Sequence, residues 1–174
     1  LADYDLSAEI AQHAATGARA TLALVPVEDP TAYGVVLTDD QKRVEAFLEK
    51  PSREDAPADP RINAGAYVLE REVLEMIPAG ENRSFEHDVF PQLVGDGIYA
   101  YDAEGYWLDL GTPERYVLAT RDLLAGTVHS YLDDLRDQSG NVVAPDVTLD
   151  GVELTAPVVI GPGAKIGHGS RLGP

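Results

Sequence analysis

"VEAFLEKPSREDAPADPRINAGAYVLE", residues 44–70, places two apolar segments on either side of a loop dense in proline, arginine and acid. The first segment ends in Glu49-Lys50-Pro51 and the second opens with Asn63-Ala64-Gly65. Short apolar runs bounded by such punctuation read as strands. Pro51 cannot donate to a ladder and biases Lys50 toward extended backbone, so the Glu49-Lys50 pair is expected at a strand end. In open α/β sheets ligands bind at strand ends. A lysine there can meet a phosphate as a compact cation, and a glutamate can accept hydrogen bonds from hydroxyls. Asn63 can offer a donor and an acceptor to vicinal hydroxyls, with Gly65 allowing close backbone approach. In isolation, however, the same residues read as a surface ion pair and an Asn-initiated turn.

The flanking sequence supplies an α/β grammar. "LSAEIAQHAATGA" (6–18) reads as a helix with Ser7 as N-cap, Ile10, Ala14 and Ala15 on one face, and Gly17 as terminator. "RATLALVPV" is a nearly continuous apolar strand of the kind buried on both faces. "YGVVLTDDQKRVEAFLEK" reads as a hairpin turning at Asp39–Lys42. "REVLEMI" is a short helix stopped by Pro78, and "SFEHDVFPQLVGDG" a second, capped by Ser84 and closed near Gly95. "GIYAYDAEGYWLDLG" suggests two short strands. Thr112 and Pro113 then open a helix that ends before Gly126. Asp109 lies just ahead of that helix, where a carboxylate can cap a turn or hold a hard cation.

Beyond Gly140 the period changes. Ile160, Ile166 and Leu172 recur every six residues, each followed by glycine. An aliphatic-plus-small hexapeptide is the pattern of a parallel β-helix, each repeat forming one side of a triangular coil. The expected organisation is therefore an α/β unit over 1–130 and a β-helix over 140–174.

Composition narrows the functional classes. The 174 residues contain no cysteine, which removes thiolate catalysis, Cys-ligated zinc and iron–sulfur chemistry. Thirty acidic against thirteen basic residues would repel a polyanion, so nucleic acid is not an expected partner. No apolar run approaches the length of a membrane span, and no signal-peptide pattern opens the chain. The four histidines lack zinc-like spacing.

"VEDPTAYGVV", "FLEKP", "INAGAYVL", "FEHDVFPQL" and "GYWLDLGTPERY", in this order, resemble the sugar-1-phosphate nucleotidylyltransferases, most closely the mannose-1-phosphate guanylyltransferases. The resemblance covers about residues 1–126. It implies a Rossmann-like domain with a mixed sheet, followed by a left-handed parallel β-helix, and a cytoplasmic enzyme that forms GDP-mannose from GTP and mannose 1-phosphate. Glucose 1-phosphate with UTP or dTTP, or a non-catalytic regulatory homologue, are the alternatives. By position, Tyr33 and Gly34 would bound the sugar, and Gly34 would contact it through its backbone. Glu49 would hold hydroxyls, Lys50 the sugar phosphate, and Asn63, beside Gly65, would face the sugar. Lys50 and Asp109 would be the catalytic residues, with Asp109 a Mg²⁺ ligand. The β-helix would assemble a homo-oligomer. The family's opening Gly-rich loop and a second metal-binding aspartate are not found in this sequence. The chain is therefore expected to be the sugar-binding half of the catalytic domain, inactive by itself.

Overall fold

The apolar run at 20–26 lies inside a five-stranded sheet, where every residue from Ala20 to Val25 is buried. The computed structural model describes residues 1–173. They form two compact units, Tyr4–Glu104 and a second made of Leu1–Asp3 with Gly105 onward.

In the first unit the strands are β1 (Ala20–Pro26), β2 (Gly34–Thr38), β3 (Val44–Glu49), β4 (Arg61–Leu69) and β5 (Ile98–Asp102), in the order β3-β2-β4-β1-β5. β1 pairs antiparallel with β4 and parallel with β5, so the sheet is mixed. β2 and β3 form the expected hairpin. Its turn is tied by Asp39, whose Oδ1 accepts from the N–H of Gln41 and Arg43 at 2.9 Å each. Leu22, Leu24, Val44, Val73, Val89, Phe90, Leu93 and Ile98 build the core.

Several elements depart from the sequence reading. Helix α1 (Leu6–Thr16) is capped by Asp5, which accepts from Ser7 and Ala8 N–H, and not by Ser7. Ile10, Ala14 and Ala15 are exposed; the helix buries Glu9 and His13 instead. The reason is a polar anchor: His13 Nδ1 lies 2.9 Å from Thr21 Oγ1 on β1, and Nε2 lies 3.4 Å from Glu70. Asn63 stands inside β4 rather than at its start. The helix expected after Ser84 is a π-turn, Phe85–Val89, running into a 3₁₀ turn, Phe90–Leu93. Pro91 has no N–H to continue an α-helical ladder there. Only one strand, β5, forms in 97–111; the second is reduced to a single bridge between Ala2 and Trp107. The short helix expected at 71–77 forms as α2 (Arg71–Glu75).

In the second unit α3 (Pro113–Ala125) begins and ends as expected, with Thr112 Oγ1 accepting from Arg115 N–H and Gly126 left-handed. Arg136 closes its C-terminus by donating to the carbonyls of Leu123 and Leu124 at 2.8 and 2.7 Å. Asp3 ties the chain's start to this unit, accepting from the N–H of Tyr106 and His129. Tyr106 donates to Asp122 at 2.6 Å, and burial together with that carboxylate pushes its hydroxyl up to about 12. Four two-residue strands follow: β6 (Val142–Val143), β7 (Glu153–Leu154), β8 (Val159–Ile160) and β9 (Arg171–Leu172). They pair in parallel, Val143 with Ile160 and Leu154 with Leu172. Among the described residues no helix is long and apolar enough to cross a membrane.

Candidate functional site

Strand register brings the separated motifs together. In the β2–β3 hairpin, Gly34 stands opposite Glu49. Between β2 and β4, Val35 pairs with Ile62, which sets Asn63 one step along, beside Gly34. Tyr33, Gly34, Glu49 and Asn63 accordingly line one cavity of about 440 Å³, with Phe47, Ile62, Glu86, His87 and Pro91 among its other walls. The absence of a side chain at Gly34 matters here: a Cβ would lie 3.4 Å from Glu49 Oε2, in space the carboxylate faces.

The approach to Gly34 is braced. Asp29 accepts from the N–H of Thr31 at 3.1 Å and from its hydroxyl at 2.8 Å, capping the short turn Pro30–Ala32. Arg53, from the loop after β3, donates to the other Asp29 oxygen at 3.1 Å. The Thr31 hydroxyl, then its N–H and Arg53, hold the Asp29 carboxyl below its usual range.

Lys50 is not extended. Its φ is +45°, in the left-handed region, despite the following proline. Its N–H donates to Tyr33 C=O at 3.0 Å, closing the hairpin's open end, so the chain must turn at this residue to leave the sheet. Nζ lies 3.6 Å from Glu49 Oε1, with both side chains more than 60% exposed. Lys50 borders the cavity residues in sequence but is not one of its walls.

Gly65 also lies off the wall, in a bulge. Leu22 pairs with Tyr67 and Leu24 with Asn63, so Ala64, Gly65 and Ala66 stand opposite Ala23 alone. Gly65 takes a φ of +82° there, and its N–H donates to Asn63 Oδ1 at 2.8 Å. The bulge lets the Asn63 side chain hook onto its own strand.

Glu86 and His87 are the wall residues that motif reasoning missed, although "FEHDVFPQL" had been singled out. The π-turn presents them. Ser84 N–H donates to Asp88 Oδ2 at 2.7 Å while Ser84 Oγ accepts from His87 N–H at 3.3 Å, a reciprocal cap. Beneath lies an aromatic cluster, with Tyr67 and Phe85 at 5.0 and 5.4 Å from Phe90. Burial pushes the Tyr67 hydroxyl up; the Asn63 hydrogen bond opposes this and the Glu86 charge adds to it.

Asp109 belongs to the other unit and lies in irregular chain. Its Oδ1 accepts from Gly111 N–H at 3.2 Å and its Oδ2 from Arg115 at 2.9 Å. Among the described residues no three His, Cys, Asp or Glu side chains gather as a metal cluster. Asp109 is thus a single carboxylate with both oxygens held inside its own unit, by Gly111 and Arg115.

The cavity wall thus combines the Glu49 and Glu86 carboxylates, the Asn63 amide and the bare Gly34. The chain belongs to the nucleotidyl transferase family, whose model matches residues 1–126. Among relatives, it is 44% identical to a mannose-1-phosphate guanylyltransferase of Mycobacterium tuberculosis, over 99% of this chain and 48% of the relative. It is 34% identical to a UTP–glucose-1-phosphate uridylyltransferase of Synechocystis, over 99% of the chain and 46% of the relative. It is also 34% identical to a mannose-1-phosphate guanyltransferase of Schizosaccharomyces pombe, over 98% of the chain and 44% of the relative. The chain spans about half the length of the curated relatives it matches.

Proposed function

We propose that this chain is the sugar-phosphate-binding part of an enzyme that makes GDP-mannose from GTP and mannose 1-phosphate, releasing pyrophosphate. The observation that carries the reading is the register: Gly34, Glu49 and Asn63, from three strands, meet in one cavity of about 440 Å³. Family membership supports the reaction type, and the 44% identical relative supports mannose 1-phosphate and GTP as the pair. In this reading Glu49 accepts from sugar hydroxyls, Gly34 meets the sugar through its backbone, Tyr33 and Asn63 form part of the wall, and Gly65, off the wall, holds the Asn63 side chain. Lys50 is the cation toward the sugar phosphate.

The bond forms between a phosphate oxygen of the sugar phosphate and the α-phosphorus of the triphosphate, and the bond from that phosphorus to pyrophosphate breaks. Such a displacement needs positioning and charge neutralisation rather than a side-chain nucleophile. Lys50 and Glu49 do the positioning from this chain. A Mg²⁺ held in part by Asp109 would neutralise phosphate charge.

The parallel ladders beyond Gly140 join residues 17 and 18 apart, Val143 to Ile160 and Leu154 to Leu172. That stagger fits three hexapeptides per coil and supports a parallel β-helix beyond Gly140. In this proposal the segment is a separate left-handed domain through which copies assemble in the cytoplasm. The uridylyltransferase relative supports glucose 1-phosphate with UTP as the second reading. The test is pyrophosphate release by the whole protein carrying this chain, with Mg²⁺ and a panel of sugar 1-phosphates and nucleoside triphosphates. GTP with mannose 1-phosphate should give the highest kcat/KM. Release with no pair overturns the proposal.

A further inference from the structure

Asn63 spends both amide protons inside the protein. Nδ2 donates to Tyr67 Oη at 2.7 Å and to Glu86 Oε1 at 2.5 Å, while Oδ1 accepts from Gly65 N–H at 2.8 Å. Chemistry fixes this orientation, since a backbone N–H only donates and a carboxylate only accepts. A primary amide carries two donors. None is left for a ligand hydroxyl, and only one acceptor position of Oδ1 remains.

Glu86 has the opposite balance. A carboxylate offers about four acceptor positions, and Asn63 takes one of them. Glu86 is exposed and lines the cavity together with Glu49. Its backbone is fixed by the Ser84–Asp88 reciprocal cap, and its carboxylate by the Asn63 amide, which Tyr67 and the Gly65 bulge hold in turn. An acceptor with a locked backbone and a locked oxygen is pre-organised for a hydroxyl. The site as first read from the sequence had Asn63 as the hydroxyl reader and no role for Glu86.

Resting on the sugar-phosphate reading above, we propose that Glu86 accepts a hydrogen bond from a sugar hydroxyl and helps determine specificity, with Asn63 as the positioning residue behind it. Two carboxylates from different elements, Glu49 of β3 and Glu86 of the π-turn, then grip different hydroxyls of one ring.

The test uses calorimetry on the chain with mannose 1-phosphate and its single-deoxy analogues, with inorganic phosphate as a control. Glu86→Gln keeps an oxygen that Asn63 Nδ2 can reach, so the positioning network survives while the charge is lost. Because Glu86 is exposed, the unfolding midpoint should not move. Affinity for mannose 1-phosphate should fall roughly tenfold, the loss of a charged hydrogen bond. For the one analogue that lacks the hydroxyl Glu86 holds, the variant and wild type should bind alike. A loss of the same factor on every analogue means that Glu86 only supports Asn63, and it overturns the assignment; so does no loss on any. A wild-type chain that binds none of the sugar phosphates overturns the sugar-phosphate reading itself, and the assignment with it.

Discussion

Lys50→Gly should make the protein more stable while weakening its hold on sugar phosphate. Lys50 takes φ +45°, a conformation that costs an L-residue roughly 1–2 kcal/mol and glycine nothing. Against that relief stands the greater freedom of glycine in the unfolded chain, about 0.4–1 kcal/mol. The ion pair with Glu49, at 3.6 Å between side chains 64% and 62% exposed, contributes close to nothing. The net expectation is a gain of about 0.5–1 kcal/mol, or roughly 1–4 °C in Tm for a chain of this size. Lys50→Ala separates the two effects. It keeps the backbone strain and deletes the same cation, so its Tm should match wild type within about 0.5 kcal/mol. Thermal unfolding by circular dichroism reads the stability, and calorimetry with mannose 1-phosphate reads the binding. Both variants should bind more weakly. If Gly and Ala give equal Tm values, or if Gly falls below wild type, the backbone at Lys50 is not strained and the reasoning fails. A residue that costs stability where glycine would not points to a use for its side chain, and the binding arm of the experiment reads whether that use is the sugar phosphate.

Three other outcomes follow from the same geometry. Glu9 is 1% exposed and its Oε1 has no hydrogen-bond partner, so Glu9→Met should stabilise by about 1–3 kcal/mol at neutral pH. Burial raises the Glu9 carboxyl above its usual 4.5, so the folded state binds more protons just above that value and stability falls as pH rises through the raised one. The Glu9→Met gain in Tm should therefore shrink toward zero below 4.5; a pH-independent gain, or a loss at neutral pH, contradicts this. Asp29 is shifted the other way by its Thr31 hydrogen bonds and Arg53, and its contribution is present above 3.8 and lost as pH falls through the lower folded value. The Tm difference between wild type and Asp29→Ala should narrow in that acid window, measured by unfolding across pH. Gly34→Ala puts a methyl 3.4 Å from Glu49 Oε2, so it should leave Tm within about 0.5 kcal/mol of wild type yet raise the Kd for mannose 1-phosphate; unchanged calorimetric affinity would remove Gly34 from the site.

What could be read from the chain was local. The buried run of β1, the Asp39 turn, the Thr112-Pro113 start of α3 and the left-handed Gly17 and Gly126 each depend on residues a few positions apart, and each forms. The face of α1 was misread because periodicity counts apolar residues, whereas His13 is held by Thr21 and Glu70 from other elements. Lys50 was misread because the proline rule sees only its neighbour, not the Tyr33 carbonyl that claims its N–H across the hairpin. Glu86 gave no signal of its own. Its place on the cavity wall requires a π-turn and a bulged partner strand, and neither has a short sequence signature.

The site's dependence on register makes it fragile in a specific way. Side chains alternate across a strand, so a one-residue slip of β4 against β2 would send Asn63 to the opposite face of the sheet. Among the described residues a single register pair, Val35 with Ile62, joins β2 to β4. That single pair cannot define the register alone. The burial of Val35 at 0% and Ile62 at 2% does part of the work, since a slip would expose one of them. The bulge on β4 does the rest: the register shift between Leu22–Tyr67 and Leu24–Asn63 puts Gly65, at φ +82°, in the bulge opposite Ala23 of β1, which sits on the far side of β4. Register is thus set by β1 and transmitted through β4 to the hairpin that carries Gly34 and Glu49. The glycine that lies off the cavity wall is therefore as necessary to the site as the residues that line it.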